Sequence, residues 1–248
     1  MKKSLFYGLL LLQLFVIQDL FGQEKNIRKT NQQWVQYYNT TQLNQKYTLL
    51  IDGGFRWKDA LSQNSQYILR AALKRSIGTS SGIAAGLAYS GFYNNGLVNK
   101  TEIRPYQELN LISSFGKLAL SHRYRVEERF FETIVTNDIP SINSFNFRFR
   151  YAINASIPLL KVSQKEPDRK VTLNIGDEVF LNAGGQIENR FFDQNRLLLG
   201  TSVPAGKDLT FTLTYNSQFG STSLPYEYNH SNIIWLGVKH NLDLNKKS

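Results

Sequence analysis

The sequence predicts an all-β fold: an antiparallel, up-and-down transmembrane β-barrel of twelve strands, or of ten. Three observations predict it. Over 144–157, Phe145, Phe147, Phe149, Tyr151, Ile153, Ala155 and Ile157 fall on one face of an extended chain, and Asn146, Arg148, Arg150, Asn154 and Ser156 on the other. A strand's period of two sorts these residues; a helix does not. The same alternation recurs along the chain in segments as long as the roughly 9–11 residues a tilted strand needs to cross a bilayer. Beyond the N-terminus, no run approaches the ~20 apolar residues of a spanning helix.

The first element is a secretory signal peptide over 1–22. Met1-Lys2-Lys3 opens it, an apolar run from Leu5 to Ile17 follows, and Gly22 supplies a small residue at the cut. Asp19 and the shortness of the run argue against an uncleaved anchor. The remainder, 23–248, reads as one barrel domain, because no linker of disordered composition divides it. The chain has no cysteine, so neither a lipoprotein anchor nor a disulfide framework is expected. Outer-membrane location in a Gram-negative bacterium follows from export combined with a barrel.

The strands then run 33–43 (short), 46–57, 66–77, 81–93, 101–114, 117–132, 144–158, 170–182, 189–204, 208–219 and 231–244. Both termini of such a barrel are expected on the periplasmic side, which requires an even number. Either 33–43 has a poorly marked partner before it, giving twelve, or it does not span and ten remain. Trp34, Tyr37 and Tyr38 suit a membrane interface and tip the expectation to twelve. Tight turns bearing Gly or Asn at 43–45, 78–80, 115–117 and 204–207 alternate with longer links at 59–64, 94–100, 133–143, 183–188 and 220–230. That is the rhythm of periplasmic turns and external loops. The link 160–169, charged and containing Pro167, is longer than its place among the turns predicts.

Within the strands the polar faces are rich in ionisable groups. In 117–132, Leu118, Leu120, Tyr124, Val126 and Phe130 alternate with Ser121, Arg123, Arg125, Glu127 and Arg129, while His122 and Glu128 fall on the apolar face. Collected over all strands, the inferred inner wall carries Asp52, Arg56, Arg70, Glu102, Arg104, Glu108, Arg123, Arg125, Glu127, Arg129, Arg148, Arg150, Glu178 and Arg196. Arginines outnumber carboxylates there. Bidentate Arg–carboxylate bonds would staple a narrow lumen; the surplus cations instead fit an anion-preferring channel or ligand pocket. The formal net charge of +10 is spread singly through strands, not clustered in an arm or stripe, which argues against nucleic acid.

Several of these residues sit in strings that also resemble a family. They are Asp52-Gly53-Gly54 with Arg56, Glu102-Ile103-Arg104 with Gln107, and His122-Arg123-Tyr124-Arg125-Val126-Glu127. Arg148-Phe149-Arg150-Tyr151, Glu178-Val179-Phe180-Leu181-Asn182 and Phe192-Asp193-Gln194-Asn195-Arg196 complete the series. In order and spacing, over nearly the whole mature chain, they resemble the outer-membrane family called domain of unknown function 2490. The resemblance implies a Gram-negative outer-membrane barrel, and it brings no catalytic residue with it.

Catalytic chemistry finds little support in the sequence. The phospholipase-like alternative would rest on Asn229-His230-Ser231-Asn232, yet adjacent strand residues face apart, and a nucleophile must reach its base within about 3 Å. This string reads better as a loop-to-strand boundary. His122 and His240 have no obvious partner nearby in the chain. Three histidines, no cysteine and no Asp-rich calcium loop argue against a metal. Gly82, Gly86 and Gly91 lack the Lys-Ser/Thr ending of a phosphate loop and read as a wall where backbone and neighbours come close. No cofactor is expected. Expected partners are outer-membrane lipid, small anionic solutes or lipopolysaccharide, and the barrel-assembly machinery during biogenesis. A loop-mediated role in envelope assembly, through 133–143 and 220–230, is the remaining alternative.

Overall fold

The alternation produces one closed sheet. The computed structural model describes residues 25–134, 142–162, 169–187 and 190–244. Among them there is no helix, and eleven strands close into a barrel. They are β1 (Asn26–Gln42), β2 (Tyr47–Lys58), β3 (Gln63–Ser76), β4 (Ser81–Asn94), β5 (Leu97–Phe115) and β6 (Leu118–Thr133). β7 (Ile142–Lys161), β8 (Lys170–Ala183), β9 (Phe192–Ala205), β10 (Leu209–Ser221) and β11 (Glu227–Asp243) complete the circuit. Each strand pairs antiparallel with its neighbours in sequence, and β1 closes the barrel parallel to β11, from Asn26 opposite Glu227 to Gln42 opposite Asp243.

The strand number corrects the expectation of twelve or ten. β1 is a full-length strand whose first half, Asn-Ile-Arg-Lys-Thr-Asn-Gln-Gln, has no apolar alternation to read. Lys29, Asn31 and Gln33 give its outer face polar side chains, so the sequence pattern shows only the second half. With an odd number of alternating strands, the first and last must run the same way, and a parallel seam results. The expectation of termini on one side is corrected with it: Asn26 lies at the rim of Glu227, and Asp243 at the opposite rim.

The rims also differ less than the sequence suggests. Connections 43–46, 77–80, 116–117 and 206–208 lie at one rim, with the end of β7 and the start of β8, and 59–62, 95–96 and 222–226 at the other, with the ends of β6 and β8 and the starts of β7 and β9. The expected long link at 94–100 is a tight turn at Asn95-Gly96, both at positive φ (50° and 80°). That is the two-residue hairpin chemistry in which left-handed residues match the strand twist. The expected signal peptide over 1–22, the tip of 133–143 and most of 160–169, with Pro167, lie outside the described residues.

Small residues let the walls approach. Gly86 stands directly opposite Tyr106, and a Cβ there would come 2.7 Å from the ring. Tyr106 joins Ala72 and Ala88 in a small buried apolar cluster inside the barrel. Outside, Val35, Phe55, Leu69, Leu87, Phe149 and Leu213 are exposed. The barrel is thus inverted relative to a globular protein, with apolar side chains out and charged ones in.

Candidate functional site in the lumen

Glu127 anchors the lumen. It is 0 % exposed and sits opposite Arg148 across the β6–β7 ladder. Arg148 Nε donates to its Oε2 at 2.7 Å, and Arg150 Nη1 to its Oε1 at 2.6 Å. Arg104 and Arg125 stand 3.6 Å from Oε1. Four guanidinium groups therefore converge on one carboxylate, which draws them out of water and holds β5, β6 and β7 together.

The other carboxylates extend the network. Glu102 is paired by Arg104 through two donors and by Arg129 Nε at 2.6 Å. Glu108 receives Nε and Nη2 of Arg125 at 2.8 and 2.6 Å. Glu178 accepts from Arg123 and Arg150, each at 2.6 Å, with Arg196 at 3.8 Å. Arg125 and Arg150 are directly opposite in the ladder, a like-charge pairing that is destabilising alone. Glu108, Glu127 and Glu178 offset it. Phe180, also 0 % exposed, has the guanidinium carbons of Arg150, Arg196 and Arg148 at 4.4, 4.7 and 5.3 Å from its ring centre, a cation–π arrangement.

On the facing wall the chemistry changes. Arg70 pairs with Asp52 through Nε and Nη2, and Asp52 also accepts from Gln36 at 2.6 Å. Arg56 has no carboxylate within ion-pair reach among the described residues. Its Nη1 donates to Gln66 at 2.5 Å, and its guanidinium lies 3.8 Å from the Trp34 ring centre. Trp34 packs edge-on against Trp235 across the parallel seam, at 5.1 Å. Between the two walls is a cavity of about 720 Å³ lined by Trp34, Arg56, Arg123, Glu178, Arg196 and Trp235, among others.

All fourteen residues expected on the inner wall thus face the lumen. Thirteen belong to ion pairs with one another, Asp52–Arg70 forming a separate pair and Arg196 reaching Glu178 at 3.8 Å; Arg56 borders the cavity without one. Sequence reasoning missed Asp193, which bonds Arg148 at 2.9 Å and lies 4.0 Å from Arg129. Strict alternation points Asp193 outward. A bulge in the β8–β9 ladder, where Phe180 pairs Gln194 and Leu181 pairs Phe192, turns it in. The roles of Gln36, Gln66 and Trp34 were hidden because neutral lumen residues resemble any polar or aromatic strand position.

The histidines are on the outer wall and have cross-strand partners. His122 Nδ1 lies 2.9 Å from the Tyr151 hydroxyl, and His240 Nδ1 2.9 Å from that of Tyr37. The string at 229–232 lies inside β11, not at its boundary. Ser231 is buried in the lumen against Thr30 and Gln32, while His230 faces out and meets Ser217 Oγ at 2.9 Å. Among the described residues, no group of three or more His, Cys, Asp or Glu is placed to hold a metal.

Fold and lumen together define a closed β-barrel with an apolar exterior and an arginine–carboxylate interior. The chain belongs to the family described as "Protein of unknown function (DUF2490)", which matches residues 31–229. No curated protein and no solved structure matches it.

Proposed function

We propose that this chain is an integral outer-membrane barrel, exported through its N-terminal signal peptide, that lets small anions enter and cross a cationic lumen. One observation carries the reading: among the described residues, inward of the Arg28–Glu227 pair at the rim, nine arginines share the lumen with six carboxylates, Asp193 included, around a cavity of about 720 Å³. Fixed surplus positive charge beside water favours anions and repels cations. The exposed apolar exterior supports the membrane setting, since an outward apolar band is what lipid requires of a barrel. Passive passage needs no catalytic group, and the reading assigns none.

Planar-bilayer recording of the refolded protein under a salt gradient tests it. The expected result is steady current with an anion-selective reversal potential, shifted toward zero in Arg123→Gln, whose side chain is the most open of the ion-paired lumen arginines. An inserted, heat-modifiable barrel that carries no current sinks the passage reading.

A further inference from the structure

We infer that the lumen contains a discrete oxyanion site between Arg56 and Arg196, beside Trp34 and Trp235, which takes a phosphate- or carboxylate-bearing solute. This deepens the anion-passage reading and rests on it for access from the aqueous phase.

Four observations converge. Arg56 is the one arginine of the expected set with no carboxylate in reach, and its guanidinium is stacked on Trp34 with most of its donors uncommitted. Arg196, reaching from β9, lies 5.3 Å from the same ring and is held by Gln218 at 2.9 Å, with its nearest carboxylate 3.8 Å away. Two guanidinium groups therefore flank one indole, and like charges brought together inside a barrel call for a counter-charge. The third observation is Trp235 Nε1, buried without a hydrogen-bond partner on the same wall. The fourth is Asn216, fully buried, with neither Oδ1 nor Nδ2 partnered. The register sets Asn216 two residues from Gln218 on β10 and opposite Ile233, two residues from Trp235 on β11.

The donor types select the ligand class. Guanidinium forks and an indole N–H are directional donors that match the spread oxygens of phosphate or carboxylate; a spherical halide gains little from their geometry. The arginines of β5–β7 are different in kind, because they already face Glu102, Glu108, Glu127, Glu178 and Asp193.

The site reports on itself. The chain has three tryptophans, two of them here, so a Trp57→Phe background leaves emission from Trp34 and Trp235 alone. The experiment titrates inorganic phosphate into this protein, refolded in an uncharged, phosphate-free detergent, with chloride at matched ionic strength as control. The expected result is saturable change with phosphate, none with chloride, and at least a tenfold weaker response in Arg56→Gln and in Arg196→Gln. Heat-modifiability on gels verifies that each variant is folded. Trp235→Phe, which removes the indole N–H together with part of the ring system and keeps Trp34 as reporter, is a second variant expected to weaken binding.

Equal responses to chloride and phosphate, or a phosphate response unchanged in folded Arg56→Gln, overturn the site. Repeating the titration in phosphatidylglycerol vesicles distinguishes the source of the oxyanion. A response already saturated before phosphate is added assigns the site to a lipid headgroup, and a preserved titration assigns it to a free solute. A conducting barrel that ignores phosphate ends this inference and leaves anion passage standing. A silent barrel that binds phosphate does the reverse.

Discussion

Glu127 is where the lumen is most exposed to a single change. Its carboxylate meets two short guanidinium contacts and two longer ones with no access to water. Glu127→Gln keeps the shape and removes the charge, leaving Arg104, Arg125, Arg148 and Arg150 to repel one another in a desolvated space. Breaking a buried ion pair from one side costs about 3–5 kcal/mol. The expected outcome is a large drop in the urea midpoint of the vesicle-reconstituted barrel, followed by tryptophan emission. Arg56→Gln provides the contrast: it abandons no carboxylate, so its midpoint stays near that of the parent. Equal midpoints for all three proteins would show that the network fills the lumen without stapling it.

At the scale of strands, the sequence is informative wherever one face is apolar, and silent where neither is. The ten strands from β2 to β11 are legible because residues such as Leu69, Leu87, Tyr124 and Phe149 mark the outer face every second position. β1 is half legible, because Lys29, Asn31 and Gln33 mark nothing. The fourteen charged lumen residues are readable for the same reason that the strands are. Asp193 is not, since a bulge is a local departure from the period that reveals the rest. The parallel seam follows from the count alone and can be tested directly. Val35 and Leu236 are paired neighbours facing outward, and the chain has no cysteine of its own. Val35→Cys with Leu236→Cys is expected to form an intramolecular disulfide under mild oxidation, seen as a gel shift reversed by reductant. Val35→Cys with Asp243→Cys, near the far end of β11, serves as the mismatch and is expected to stay reduced. Disulfide chemistry requires Cα atoms within about 7 Å, so the first pair closes only if β1 lies on β11 in this register. Failure of the first pair, or closure of both, would count against an eleven-strand closure.

At the scale of the whole molecule, the two faces of the sheet make opposite demands on solvent. The lumen holds charge in ion pairs; the exterior presents Phe55, Leu69, Leu87, Leu199 and Leu213 to whatever surrounds it. Several polar groups on that exterior satisfy one another: Asn195 donates to Asp177 at 2.5 Å, and the Tyr215 hydroxyl to Asn232 at 2.7 Å. Internal pairing lowers the penalty of holding them away from water. The tryptophans divide along the same line, Trp34 and Trp235 inside and Trp57 outside against Phe55, with ring centres 6.0 Å apart. Brominated phosphatidylcholine quenches an indole only at close range, so in the proposed membrane setting it is expected to quench Trp57 and spare the other two. The reconstituted protein should lose part of its emission in brominated vesicles, and Trp57→Phe should lose almost none. A barrel that keeps its apolar wall out of the bilayer shows no quenching in either protein, and the apolar exterior would then have to be covered by protein instead of lipid.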